Sequence, residues 1–204
     1  MVESNATLTG WSETNGGRKF FFDKELIGKN EYDLDDIAHG LARNCRYSGH
    51  VNVPHYSVAE HASILADYVY SRRDLFPDER DRAQAALTML HHDDPEFMLG
   101  DMVRPMKRLF PFFKELEEEV DRAISKKWDL IYPHPVWLKD FDTRILVDER
   151  EQVRNPSMND WNLPVEGLGV EIGGVVPHIA KRLFLNRHHK YDALRNGKKL
   201  KKAA

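Results

Sequence analysis

The sequence predicts a mostly α-helical, single-domain bundle with a small N-terminal β-hairpin. Three observations carry this. Apolar residues recur at helical spacing in successive segments from Leu34 to Leu146. The one clear hairpin signal, the turn-rich Ser12-Glu13-Thr14-Asn15-Gly16-Gly17, lies near the N-terminus. The 204 residues suit one sizeable domain, and neither an internal repeat nor a linker interrupts them.

Taken in order, Thr7-Leu8-Thr9 and Lys19-Phe20-Phe21-Phe22 read as the strands flanking that turn. Asp33 is a plausible N-cap for a helix carrying Leu34, Ile37, Ala38, Leu41 and Ala42. That helix should stop before Ser48-Gly49, and a loop continues through Pro54. Ser57-Val58-Ala59-Glu60 reads as a capping box, opening a helix with Val58, His61, Ala62, Leu65, Ala66 and Val69 on one stripe. Pro77-Asp78-Glu79 starts the next, with Ala83, Ala86, Leu87 and Leu90 inward. Pro95, Gly100 and Pro105 punctuate short helical turns. Helices follow from Phe112 to Lys127, from Val136 to Val153 and from Pro177 to His188, with residues 155–176 read as loop.

Composition excludes several classes. Apolar residues are 41% and charged residues 31%, ordinary for a globular protein. No window approaches the ~20 apolar residues of a membrane helix. The N-terminus lacks a secretory pattern, and the single cysteine, Cys45, cannot form an internal disulfide. A cytoplasmic location is expected. Between residues 186 and 204 stand seven Lys/Arg and one acid, read as a solvated basic tail after a domain spanning residues 1–185.

Three helices place a polar residue in an apolar stripe. His61 follows Val58 by three, Asp93 follows Leu90 by three, and Asp142 follows Leu138 by four. An inward carboxylate needs a partner, because burying it alone costs several kcal/mol, on the order of the penalty for any unpaired buried charge. A divalent cation held by imidazole and carboxylate is such a partner, and His92-Asp93 supplies two adjacent ligands. Each residue has an ordinary alternative: a hydrogen-bonded core histidine, a surface ion pair of Asp142 with Arg144 or Arg150, a solvated helix end at Asp93-Asp94.

The order His61, His92-Asp93, Asp142 resembles the H…HD…D signature of the HD-domain metal-dependent phosphohydrolases. The likeness extends to Cys45-Arg46-Tyr47-Ser48-Gly49-His50, Tyr56-Ser57-Val58-Ala59-Glu60-His61, Leu99-Gly100-Asp101 and Arg104-Pro105-Met106-Lys107. These segments look like the branch that holds 5′-deoxynucleotidases and phage dATP triphosphohydrolases.

The resemblance implies that His61, His92, Asp93 and Asp142 hold the metal, with zinc, cobalt, manganese, iron and magnesium all open. It implies Glu96 as acidic catalytic residue, Asp101 as a second acid near the scissile phosphate and sugar, and Arg46 as a phosphate contact. It places Tyr47 against the nucleoside, Pro105 in the base or sugar pocket, and Lys107 and Lys139 on a polyphosphate. A metal-coordinated water has a pKa near 7 instead of ~15.7, Glu96 would move protons, and the cations would offset developing charge. The expected activity is hydrolysis of (deoxy)nucleotide phosphate esters. A deoxynucleoside triphosphate, dATP-like, is the favoured substrate because Arg46, Lys107 and Lys139 are more cation than one phosphate needs. A 5′-deoxynucleotidase acting on monophosphates and a non-catalytic nucleotide-binding module are the alternatives. The resemblance also implies a homo-oligomer, dimer or hexamer. Neither membrane nor nucleic acid is an expected partner.

Overall fold

The computed structural model describes residues 10–156, 159, 161–163 and 166–198. The hairpin is present: β1 (Trp11–Glu13) runs antiparallel to β2 (Lys19–Phe21), with Ser12 opposite Phe20. Ser12 and Glu13, expected in the turn, are strand residues, while Thr7-Leu8-Thr9 lies outside the described residues. The register follows from Phe20, which is fully buried and meets the Phe97 ring edge-on at 5.4 Å. Asp36 then pins the turn, accepting from Gly16 N at 2.7 Å and pairing with Arg18 at 2.6 Å.

The helices follow the apolar stripes. A short α1 (Lys24–Ile27) precedes α2 (Leu34–Arg43), whose N-terminus carries a full capping box from Asp33 and Asp36. Next come α3 (Val58–Ser71), α4 (Glu79–Leu90), the single turns α5 (Glu96–Leu99) and α6 (Arg104–Lys107), and the longer α7 (Pro111–Trp128) and α8 (Val136–Gln152). The last is α9 (Pro177–Arg195). The packing centre is α3, which lies against α4 and α9, with α9 also covering α2 and α4. Every stripe residue expected on α3 and α4 is buried.

Two readings change. Ser57 caps α3 alone, accepting from Glu60 N at 3.2 Å. The Glu60 carboxylate instead accepts from Gly173 N, Gly174 N and Val175 N at 3.0, 2.9 and 2.9 Å, because three free backbone donors outweigh one at the N-cap. Asp148 on α8 holds Leu168 N and Gly169 N in the same way, so two carboxylates strap the late loop to the bundle. The final helix also runs past His188 to Arg195. Its basic residues are docking groups: Arg187 pairs with Asp67 on α3 at 2.6 Å, and Arg195 donates to Trp128 O at 2.9 Å. The tail residues after Lys198 lie outside the described residues.

One glycine lets two of these helices meet. A Cβ on Gly40 would stand 2.5 Å from Phe97 O and 3.0 Å from Phe97 Cα, so only glycine lets α5, with Glu96 at its start, close on α2. In an open helix Gly→Ala stabilises by about 1 kcal/mol. Here the clash is with backbone and should reverse the sign, costing about 1–3 kcal/mol as overpacking does. Gly40→Ala is therefore expected to lower the melting temperature, read by calorimetry; an unchanged or raised value would contradict this close approach.

Candidate metal centre

The four polar residues picked from the sequence converge. His61 comes from the first turn of α3, His92 and Asp93 from the turns after α4, and Asp142 from the middle of α8. His61 Nε2 lies 3.7 Å from Asp93 Oδ2 and 3.4 Å from Asp142 Oδ1. His92 Nε2 lies 3.3 Å from Asp93 Oδ2 and 3.7 Å from Asp142 Oδ1. One donor atom from each residue falls within 4.8 Å of all the others.

The residues fit a divalent cation. Both Nε2 atoms are buried and lack a hydrogen-bond partner. The other ring nitrogens are occupied, His61 Nδ1 by Glu149 Oε1 at 2.7 Å and His92 Nδ1 by Met89 O at 2.8 Å. Both acceptors take a proton, so each Nδ1 carries a hydrogen and each ring, once neutral, presents its lone pair at Nε2, the usual arrangement of metal-ligating histidines. Two neutral imidazoles and two carboxylates balance a double positive charge.

Glu149, two turns beyond Asp142 on α8, was not singled out from the sequence. It is fully buried, yet accepts from Tyr56 Oη at 2.7 Å, from Arg46 Nη2 at 3.1 Å and from Tyr47 Oη. Burial alone would raise its pKa, but Arg46 and His61 hold it down to about 2. Seven residues is nearly two full helical turns, so the phase that turns Asp142 inward also turns Glu149 inward. That phase was the available signal.

Above the cluster opens a cleft of about 610 Å³ lined by Arg46, Tyr47, Asp93, Glu96, Asp101, Pro105, Lys107 and Asp142. All the residues expected at the site are thus gathered except Lys139, which is exposed and lines no part of this cleft. Lys139 is only about 60° around the helix from Asp142 but about 100° from Leu138, outside the buried stripe of Leu138, Phe141 and Ile145, and its side chain is exposed. Arg104 stands nearer, 2.5 Å from Asp142 Oδ2, where the alternative reading of a surface ion pair has Arg144 or Arg150. The cleft wall also includes Trp161, whose ring lies 5.8 Å from that of Tyr47. Tyr47 and Ser48 take φ of 57° and 53°, a strained left-handed pair held in place by the Tyr47 hydroxyl on Glu149.

Glu96 is 5% exposed, with Oε2 unpartnered and Oε1 3.3 Å from Lys107 Nζ. Burial, reinforced by Asp93 and Asp101, pushes its pKa well above the usual carboxyl value, although Lys107 opposes the shift. Glu117 shares Lys107 at 2.7 Å. Asp94, open to the reading of a solvated helix end, is buried and meets His91 Nδ1 at 2.6 Å; His91 Nε2 in turn meets His188 Nδ1 at 2.8 Å. This chain ties the turn carrying His92 and Asp93 to α9.

Metal binding here should release a proton. Burial would depress the His92 pKa, but Asp93 and Asp142 hold it up at about 9. A ligand imidazole must be neutral, so affinity should rise about tenfold per pH unit up to that value and level off above it. Calorimetric titration with Mn²⁺ at pH 7, in buffers of different ionisation enthalpy, should find about one proton released per ion. Buffer-independent heats would contradict this arrangement.

No helix among the described residues is long and apolar enough to cross a membrane. No known family model matches the sequence. The chain is 31% identical over 187 residues to the uncharacterized protein YfdR of Escherichia coli, covering 90% of this chain and 96% of that one. It is 32% identical over 193 residues to an uncharacterized protein of Rhodobacter capsulatus, covering 88% and 94%. Two proteins from different bacteria thus match it nearly end to end, and the chain belongs to the family of YfdR.

Proposed function

We propose that this protein is a metal-dependent phosphohydrolase of the HD-domain kind, acting on the phosphate ester of a (deoxy)nucleotide. The observation that carries the reading is the pair of bare imidazole nitrogens facing two carboxylates on the floor of a cleft that also presents Arg46, Glu96 and Lys107. His61, His92, Asp93 and Asp142 would hold the cation. When bound it would act as a Lewis acid on phosphoryl oxygen and make a nucleophilic water available at neutral pH.

The other steps belong to the chain. Arg46 Nη1, 3.8 Å from Asp93 Oδ2, faces the cleft and takes a phosphoryl oxygen. Glu96, protonated because it is buried beside Asp93, gives its proton to the leaving ester oxygen. Asp101 receives the sugar, and Tyr47 with Pro105 walls the nucleoside. We place the monophosphate ahead of the triphosphate. Arg46 and Lys107 are already balanced by Glu149 and Glu117, and Lys139 stands outside the cleft, which leaves Arg104, among the described residues, as the cation of the cleft wall without a counter-charge once Asp142 holds the metal. Little free positive charge remains for a polyphosphate.

Two outcomes test this. A screen of nucleoside mono- and triphosphates with Mn²⁺ or Co²⁺, products separated, should release orthophosphate from monophosphates; intact triphosphate as product would restore the triphosphate reading, and no turnover would favour a binding module. Glu96→Ala should retain the metal and lose ~10²–10⁴ of the rate. Since Glu96 acts in its protonated form, the wild-type rate should fall as pH rises past its elevated pKa, and the variant should lack that limb. An unchanged turnover number would return Glu96 to a structural role.

A further inference from the structure

Glu149 makes contacts that neither charge balance nor burial requires. Its Oε1 accepts from His61 Nδ1 and Tyr56 Oη, both at 2.7 Å, and lies 3.1 Å from Arg46 Nε. Its Oε2 accepts from Arg46 Nη2 at 3.1 Å and from the Tyr47 hydroxyl. One fully buried carboxylate therefore touches both His61, which faces Asp93 and Asp142, and Arg46, which lines the cleft, from separate elements.

The contacts set directions. An ionised carboxylate only accepts, so the His61 hydrogen must sit on Nδ1 and the bare Nε2 must point at Asp93 and Asp142. Arg46 lays Nε and Nη2 against Glu149, which leaves Nη1 turned to the cleft beside Asp93. Tyr47, in its left-handed backbone, is held by the same oxygen that holds Arg46.

We propose that Glu149 is the positioning residue that aims the His61 imidazole at Asp93 and Asp142 and the Arg46 guanidinium into the cleft, so that cation affinity and phosphate affinity share one determinant. The inference rests on the metal and phosphate roles proposed above for His61 and Arg46. A merely structural carboxylate would leave ligand affinities alone once the protein was folded. Glutamine shows the difference. It has the same shape but one acceptor oxygen, and its NH₂ must oppose donors on one side or the other. In either orientation Arg46 loses its counter-charge and the His61 contact weakens.

The test uses Glu149→Gln in the full chain, with folding checked by circular dichroism. Co²⁺ affinity of the metal-free protein is expected to fall tenfold to a hundredfold, the usual effect of removing a partner of a ligating histidine. Inorganic phosphate affinity of the Co²⁺-loaded protein should fall about tenfold or more, as the loss of a charge-assisted contact implies. A folded variant with either affinity unchanged overturns the proposal. If the variant does not fold, ¹⁵N NMR of the metal-free wild type decides: His61 should carry a proton on Nδ1, and an Nδ1 without one overturns the proposal. No nucleotide enters these measurements. A protein that hydrolyses none, yet loses both ligands with Glu149→Gln, would refute the functional reading and keep this one.

Discussion

Asp93 and Asp142 bring carboxylate oxygens within a 4.8 Å cluster at the base of a cleft, and the rest of the site answers that repulsion. Two unit charges at this separation repel by about 3.5 kcal/mol or more at an effective dielectric of ~20. Nearby cations relieve it only in part. Arg104 reaches Asp142, and Arg46 stands 3.8 Å from Asp93. The two imidazoles face the acids through bare Nε2 atoms, so in the neutral form they offer lone pairs to the same space as the carboxylates. A divalent cation satisfies all four at once, and the scaffold is organised to hold that convergence.

The scaffold does so with buried polar contacts between elements distant in sequence. Glu149 links α8 to α3 and to the Arg46–Gly49 turn. The Asp94–His91–His188 chain links the turn after α4 to α9. Glu60, next to His61, and Asp148, next to Glu149, hold the late loop through five backbone N–H groups. The residues beside the ligands are thus used to fix the ligand-bearing segments, while Gly40 lets α5 bring Glu96 close enough to share Lys107.

Much of this is legible in the sequence where periodicity governs. A histidine or aspartate in phase with Leu65 or Leu138 has to point inward, and His61 and Asp142 do. Local chemistry is legible for Asp33, whose N-cap needs only its own turn. It fails where a side chain has two possible partners. Glu60 suits a capping box by spacing, but the late loop offers three donors that no local reading reveals. Arg187 and Arg195 read as a solvated tail until α3 and α7 supply acceptors. Lys139 carries the right charge at the wrong phase, whereas Arg104 and Trp161 reach the cleft from segments without a periodic pattern. Glu149 had the phase but sits in the acid- and base-rich run Asp148-Glu149-Arg150-Glu151, which resembles a solvated face.

Everything at the site turns on whether His61, His92, Asp93 and Asp142 together bind one divalent cation. The most direct test is a crystal soaked in Mn²⁺ with diffraction recorded at the manganese absorption edge. A single strong anomalous peak is expected within bonding distance of both Nε2 atoms and of one oxygen from each aspartate. A map with no peak there, or with a peak held by other residues while these four stay as described, would contradict it.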